Sequence, residues 1–335
     1  MRKEVLKYLY NLVFCQTISD SGKYLFIGNR FGDIFCQKIE DFENVEDDKP
    51  KTRVRIYPQG EERSIDSLAF HRDFLIVGTA GCIYGLKWDE ENSKLSSSKK
   101  WEISIPLTAE SFDLADVNTM WIDKPNEILY AGCGDNTMYS INLEDGKIIR
   151  SFSGHEDYIN TVRGSGGKLF TASEDGSVRI WTPSDKDAVG KIEPHTNSKL
   201  IRPDFGNWIG GLAVSSDWLL CGGGSRLSLW HMRSMTCSTD YPFEGAIHCT
   251  DFLDENILVA GEHTSVQHYT LNGDIVADIP VEHTATYSIV WQNQPVKFMS
   301  MAGYSNKLHV LTDFRFLDMS VDLYEEVEDD FYTDE

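Results

Sequence analysis

The 335-residue chain contains no CxxC pair and no Asn-x-Ser/Thr sequon. No apolar run in it approaches the ~18–20 residues that cross a bilayer. Its seven cysteines (Cys15, Cys36, Cys82, Cys133, Cys221, Cys237 and Cys249) are scattered and odd in number. A secreted disulfide framework is dense and even, so these read as reduced core or strand thiols. The N-terminal MRKEVLKYLYNLVF carries charges inside its apolar stretch and lacks a small-residue cleavage site, so it does not read as a secretory signal. Basic residues are also short: 31 Lys and Arg against 53 Asp and Glu give a net charge of −22. Nucleic-acid binding draws most of its affinity from cations that neutralise phosphate. Protein partners are therefore favoured over direct RNA or DNA contact. Amphipathic helical segments between the apolar runs are missing as well, which excludes a parallel α/β fold. Residues 2–10, with Val5, Leu6 and Leu9, are the one stretch with a helical pattern.

What is present is a repeat. Seven short apolar runs end in small residues: YLFIGN (24–29), FLIVGT (74–79), ILYAGC (128–133), LFTASE (169–174), WLLCGG (218–223), ILVAGE (257–262) and FMSMAG (298–303). Each is preceded by one run of strand character and followed by two more, with the period-2 alternation of a half-buried strand. Four strands repeated seven times predict an all-β fold, a seven-bladed β-propeller with four-stranded antiparallel blades, in which neighbours bury each other's faces. The expected layout is a short helix at 1–10, the propeller at 11–321 and an acidic, disordered tail at 322–335. All seven outer strands follow their own inner three, the last being RFLDMSV (315–321). Everything after Leu323 is then expected to be dispensable.

Blade four reads GHEDYINTVRGSGGKLFTASEDGSVRIW (154–181), and it resembles a WD40 repeat. The resemblance implies a structural network in which His155 bridges Asp175 and a hydroxyl at Thr171 or Ser173, and the hydroxyl meets the indole of Trp181. Buried polar groups are tolerated when each finds a partner. In the other blades the Trp181 column becomes Gln37, Leu86, Ile141, Trp230, Tyr269 and Leu311, so apolar packing should hold them.

The segment RPDFGNWIGGLAVSSDWLLCGGGSRLSLWHMRS (202–234) is similar to the fifth repeat of the THO complex subunit 6 family, WD-repeat proteins of the mRNA-export machinery. Further similarity lies in 21–34 and 288–310. The resemblance implies a nuclear, non-catalytic scaffold without cofactor, metal or small-molecule substrate, supporting mRNA processing and export in the transcription-export assembly and binding the coiled-coil THO subunits 5 and 7. A substrate receptor of a cullin-type ubiquitin ligase is the alternative. Such adaptors carry Asp-x-Arg after a strand-c Trp, whereas Trp181 is followed by Thr182-Pro183 and Trp230 by His231-Met232-Arg233.

Several patterns admit a sharper reading and a plainer one. His155, Thr171 and Asp175 have the residue types of a hydrolase triad, but sit at WD40 spacing with Trp181. The Gly222-Gly223-Gly224 run lacks the Lys and helix of a phosphate loop and reads as a turn using positive φ. Glu262-His263, Glu282-His283 and His268 lack helical metal-site spacing and read as solvated loop residues. Lys49, Lys51, Arg53 and Arg55 read as a solvated edge, and 88–101 as a flexible inter-blade loop. The insertion 195–207 exceeds what a tight turn needs. Its Arg202, Asp204 and Phe205 are candidate partner-binding residues.

Overall fold

The computed structural model describes residues 7–42, 55–58, 63–107 and 113–324. Blade one is built from Val13–Ile18, Tyr24–Asn29, Asp33–Lys38 and Arg55–Pro58, and blade two from Ser67–His71, Phe74–Thr79, Cys82–Asp89 and Trp101–Ser104. Blade three uses Val117–Asp123, Ile128–Cys133, Thr137–Asn142 and Ile148–Ser153; blade four uses Ile159–Ser165, Lys168–Ser173, Val178–Trp181 and Gly190–Ile192. Blade five comprises Ile209–Val214, Trp218–Gly223, Ser228–His231 and Thr236–Asp240, and blade six Ile247–Leu253, Asn256–Gly261, Ser265–Thr270 and Ile275–Pro280. Blade seven closes the set with Thr286–Gln292, Phe298–Gly303, Lys307–Leu311 and Met319–Asp322. In every blade the strands pair antiparallel in chain order. The seven-bladed expectation is met.

Burial follows position in the blade. The second strands of blades one and seven are buried at all six residues, because neighbouring blades cover both faces. Outer strands alternate: Thr236–Asp240 shows only exposed and half-buried residues. The Trp181 column keeps one register throughout. Gln37, Leu86, Ile141, Trp181, Trp230, Tyr269 and Leu311 each face an apolar residue of the second strand: Leu25, Leu75, Leu129, Leu169, Leu219, Ile257 and Met299.

Each inner strand packs beside the next, and that of blade one lies against that of blade seven. At this seam Leu25, Ile27 and Phe35 share a core with Leu308, Val310 and Val321, and Phe42 stacks on Phe298 at 5.3 Å. Gln16 donates to the Ser288 carbonyl (3.1 Å) and accepts from the Ser300 hydroxyl (2.5 Å). The outer strand of blade seven starts at Met319 rather than 315, because Asp318 turns back to accept from the Thr312 amide and hydroxyl. The expectation that the chain is dispensable after Leu323 is corrected. The Tyr324 hydroxyl donates to Asp33 (2.6 Å) and accepts from Asn29 Nδ2 (2.6 Å), while its ring meets Phe35 edge-on at 5.2 Å. Lys7 also pairs with Asp33 (2.5 Å), and residues 7–9 are helical. Residues 1–6, the tail 325–335 and the basic residues Lys49, Lys51 and Arg53 lie outside the described residues.

The stretch 88–101 differs from expectation. It contains a hairpin in which Lys94–Leu95 pairs back onto Trp88 and Asp89. Trp88 packs edge-on against Tyr24 (4.8 Å) and Phe26 (5.0 Å) of blade one, the Tyr24 hydroxyl meets Ser93 (2.6 Å), and Leu95 is buried.

Candidate functional site

In blade four a Gly-His turn, a strand hydroxyl and an Asp-Gly turn converge on Trp181. His155 Nδ1 donates to Asp175 (2.7 Å), Thr171 donates to His155 Nε2 (2.7 Å), and the Trp181 indole N–H donates to the same Thr171 oxygen (2.9 Å); this tautomer is the one the network demands. Burial favours neutral imidazole and lowers the His155 pKa, against the pull of Asp175. Burial raises Asp175, but bonds from His155, the Ser177 hydroxyl and the Glu156 amide prevail and hold it well below the usual carboxylate range. Ser173 instead donates to the Asp157 carbonyl (2.9 Å). Thr171 and Ser173 are wholly buried and Trp181 is 1% exposed. A nucleophile must reach its substrate; this hydroxyl is enclosed and already donates to His155, so the geometry supports a structural network.

The 195–207 insertion divides in two. Arg202 is buried, not presented to solvent. Its guanidinium donates to the carbonyls of Gly223 (2.6 Å), Gly224 (2.8 Å), Ser225 (3.3 Å), Phe243 (3.1 Å) and Gly245 (2.8 Å). It thus ties blade five to blade six and stacks on Phe205 at 4.6 Å. As an exposed interface anchor Arg202 is corrected: carbonyl oxygens converging from the blade-five turn and from the link to blade six hold it inside. Burial, with Arg226 nearby, lowers its pKa to about 10, which leaves it charged at neutral pH. Asp204 is exposed and Phe205 half-buried. The glycine run is corrected too. None of Gly222, Gly223 and Gly224 has a positive φ. A Cβ at Gly223 or Gly224 would collide with the carbonyls of Trp208 or Phe205, so close backbone approach requires glycine.

Reading the histidines as solvated also fails for two of them. His268 and His283 are 3% and 2% exposed, and His309 is fully buried beside His283, with ring centres 4.7 Å apart. Burial lowers all three, to about 4, about 3 and about 4 for His268, His283 and His309. Among the described residues no group of three or more His, Cys, Asp or Glu is placed to hold a metal ion.

A feature that sequence reasoning missed lies at the rim of the central channel. In six blades the inner strand begins with a register shift: Phe14, Asn118, Asn160, Gly210, His248 and Tyr287 are each skipped in the pairing. Asp66 takes the matching place in blade two, next to Ser67, which pairs with Gly78. A bulge re-aims a side chain, and these residues line a central cavity of about 740 Å³. Within it burial raises Asp66 to about 7, opposed by Ser64 and reinforced by the charge of Asp116. Asp116 is itself raised by burial. No composition signal marks such a ring; alignment of the seven inner strands would reveal it.

Seven consecutive four-stranded blades, one carrying the His-Thr-Asp-Trp network, define a β-propeller of the WD40 class. The model of the WD domain, G-beta repeat, matches residues 146–182, which include that network. The WD40 β-propeller domain of Doa1 superposes with a TM-score of 0.68 at 14% identity, covering 90% of this chain and 95% of that one. In sequence the chain is 50% identical to THO complex subunit 6 of Drosophila melanogaster, over 98% of this chain and 94% of that protein. It is 29% identical to THO complex subunit 6 of Homo sapiens, over 93% of each. The chain belongs to the THO complex subunit 6 family.

Proposed function

We propose that this propeller is a non-enzymatic scaffold subunit of the THO complex, working in the nucleus and supporting mRNA processing and export. On this reading it holds the coiled-coil THO subunits 5 and 7 and takes no cofactor, membrane or small-molecule substrate. The likeness along almost the whole chain to the Drosophila subunit carries the reading. Two further observations support it. The buried polar residues of blade four and of the Arg202 cluster spend their hydrogen bonds inside the fold. The −22 charge opposes phosphate. We also assign a partner contact to the outer side of the 195–207 loop, where Asp204 and Ile201 are exposed and Phe205 is half-buried.

Affinity purification of the tagged chain from nuclear extract tests the assignment. Co-elution of THO subunits 5 and 7 is expected, and an Ile201→Glu, Asp204→Lys variant that melts like wild type should recover less of both. Elution with a cullin adaptor instead would establish the alternative. The isolated chain should leave RNA unbound at ~150 mM salt; tight binding there overturns the protein-only reading.

A further inference from the structure

The rim of the central channel has two unlike halves. Blades five, six, seven and one supply an aromatic arc. Trp208 stacks on His248 (5.2 Å, 28° between planes), His248 lies 4.7 Å from Tyr287, and Tyr287 lies 5.9 Å from Phe14. Trp208 occupies the space over Gly210, where a Cβ would meet its ring at 2.7 Å. The arc therefore continues across the one bulge that has no side chain. Blades two, three and four supply the carboxylates Asp66, Asp116 and Glu174, which line the same cavity; Asp251 of blade six lines it too, but accepts from the Trp291 indole (2.9 Å). Glu174 is held by Asn160 Nδ2 (2.9 Å), whereas Asp66 Oδ2 accepts no hydrogen bond among the described residues. Among the described residues Arg163 is the one Lys or Arg lining the cavity, and its guanidinium donates to its neighbour's carbonyl, Val162 (2.9 Å).

Both halves attract the same kind of ligand group. Aromatic faces present negative potential, strongest for Trp, and hold a cation within about 6 Å. Carboxylates across a cavity complete the match. A planar guanidinium stacks on rings and bonds a carboxylate through two N–H groups, while an ammonium is a more strongly hydrated point charge. Phosphate is repelled by the same wall. The geometry points to a receptor for an arginine side chain of a partner polypeptide, its guanidinium seated between the aromatic arc and Asp66–Asp116. This rests on the scaffold reading above and gives it a recognition chemistry.

The test selects random twelve-residue peptides displayed on phage against the full-length immobilised chain, then measures one enriched synthetic peptide by calorimetry. Enrichment of arginine is expected. Replacing that arginine with citrulline, its neutral isostere, should weaken binding at least tenfold. Asp66→Asn with Asp116→Asn should do the same at an unchanged melting temperature. Trp208→Leu should also weaken binding, and Tyr287→Leu serves in its place if that variant misfolds. Selection without arginine, equal binding of the citrulline peptide, an unaffected double Asn variant or competition by a 15-nucleotide RNA would each overturn the proposal. Co-purification of THO subunits with wild-type protein that binds no arginine peptide leaves the scaffold reading standing and the receptor refuted. Peptide binding without such co-purification means the reverse.

Discussion

Replacing Arg202 with methionine keeps the unbranched apolar stem and deletes the guanidinium that ties blade five to blade six. Five carbonyls within 3.3 Å lose a donor, though Ser225 keeps a second one in the Gly223 amide (3.1 Å). An acceptor left buried without a donor costs about 1–3 kcal/mol. Where the turns can relax, water replaces the guanidinium, so a net loss of about 3–5 kcal/mol is expected. With an unfolding entropy of about 2.1 cal/mol/K per residue, the 335-residue chain should melt about 4–7 °C lower. Urea unfolding followed by tryptophan fluorescence measures the change, with Asp204→Ala as the exposed control shifting by less than about 0.5 kcal/mol. A loss under 1 kcal/mol for Arg202→Met would refute the clamp.

Three further outcomes are expected. His268, His283 and His309 have folded pKa values of about 4, about 3 and about 4, below the ordinary ~6.5. The unfolded chain therefore takes up protons first. Their contribution is full above pH ~6.5 and is lost as pH falls towards 4; a urea midpoint unchanged between pH 7 and pH 5 would contradict their burial. Trp181→Phe keeps most of the ring packing but removes the donor to Thr171, which should cost about 1–2 kcal/mol, against about 3–5 for Trp181→Ala; no loss for Trp181→Phe would show that packing alone matters. Tyr324→Phe removes the hydroxyl between Asn29 and Asp33 and should cost about 1–3 kcal/mol. Truncation after 324 should cost little, and truncation after 323 at least as much as the point variant, as differential scanning calorimetry would resolve.

Strand count and register are legible in the sequence because side chains alternate faces with period two, so the Trp181 column can be aligned without knowing any contact. The blade-four network is legible because all its partners are side chains at fixed spacing. Arg202 is not, since its partners are carbonyls, which every residue carries and no composition reveals. Its charge and the aromatic Phe205 beside it suggest a surface. His283 looks like a loop residue for a similar reason: only the neighbouring blade shows that the loop is covered. The rim of bulges escapes because one extra residue per strand leaves the apolar pattern intact while turning a single side chain into the channel.

Because every blade is made from one uninterrupted stretch of chain, none has to wait for the far terminus to complete its sheet. During synthesis blades one to six can each form their four strands as they emerge, leaving one unmatched flank on either side of a growing arc. The last act falls to the segment from Met319 to Tyr324, which completes blade seven and brings the Tyr324 hydroxyl to Asn29 and Asp33. Among the described residues no backbone strand is exchanged across that junction. Its closure rests on side chains, so under load or heat the ring should part first between its oldest and its youngest blade.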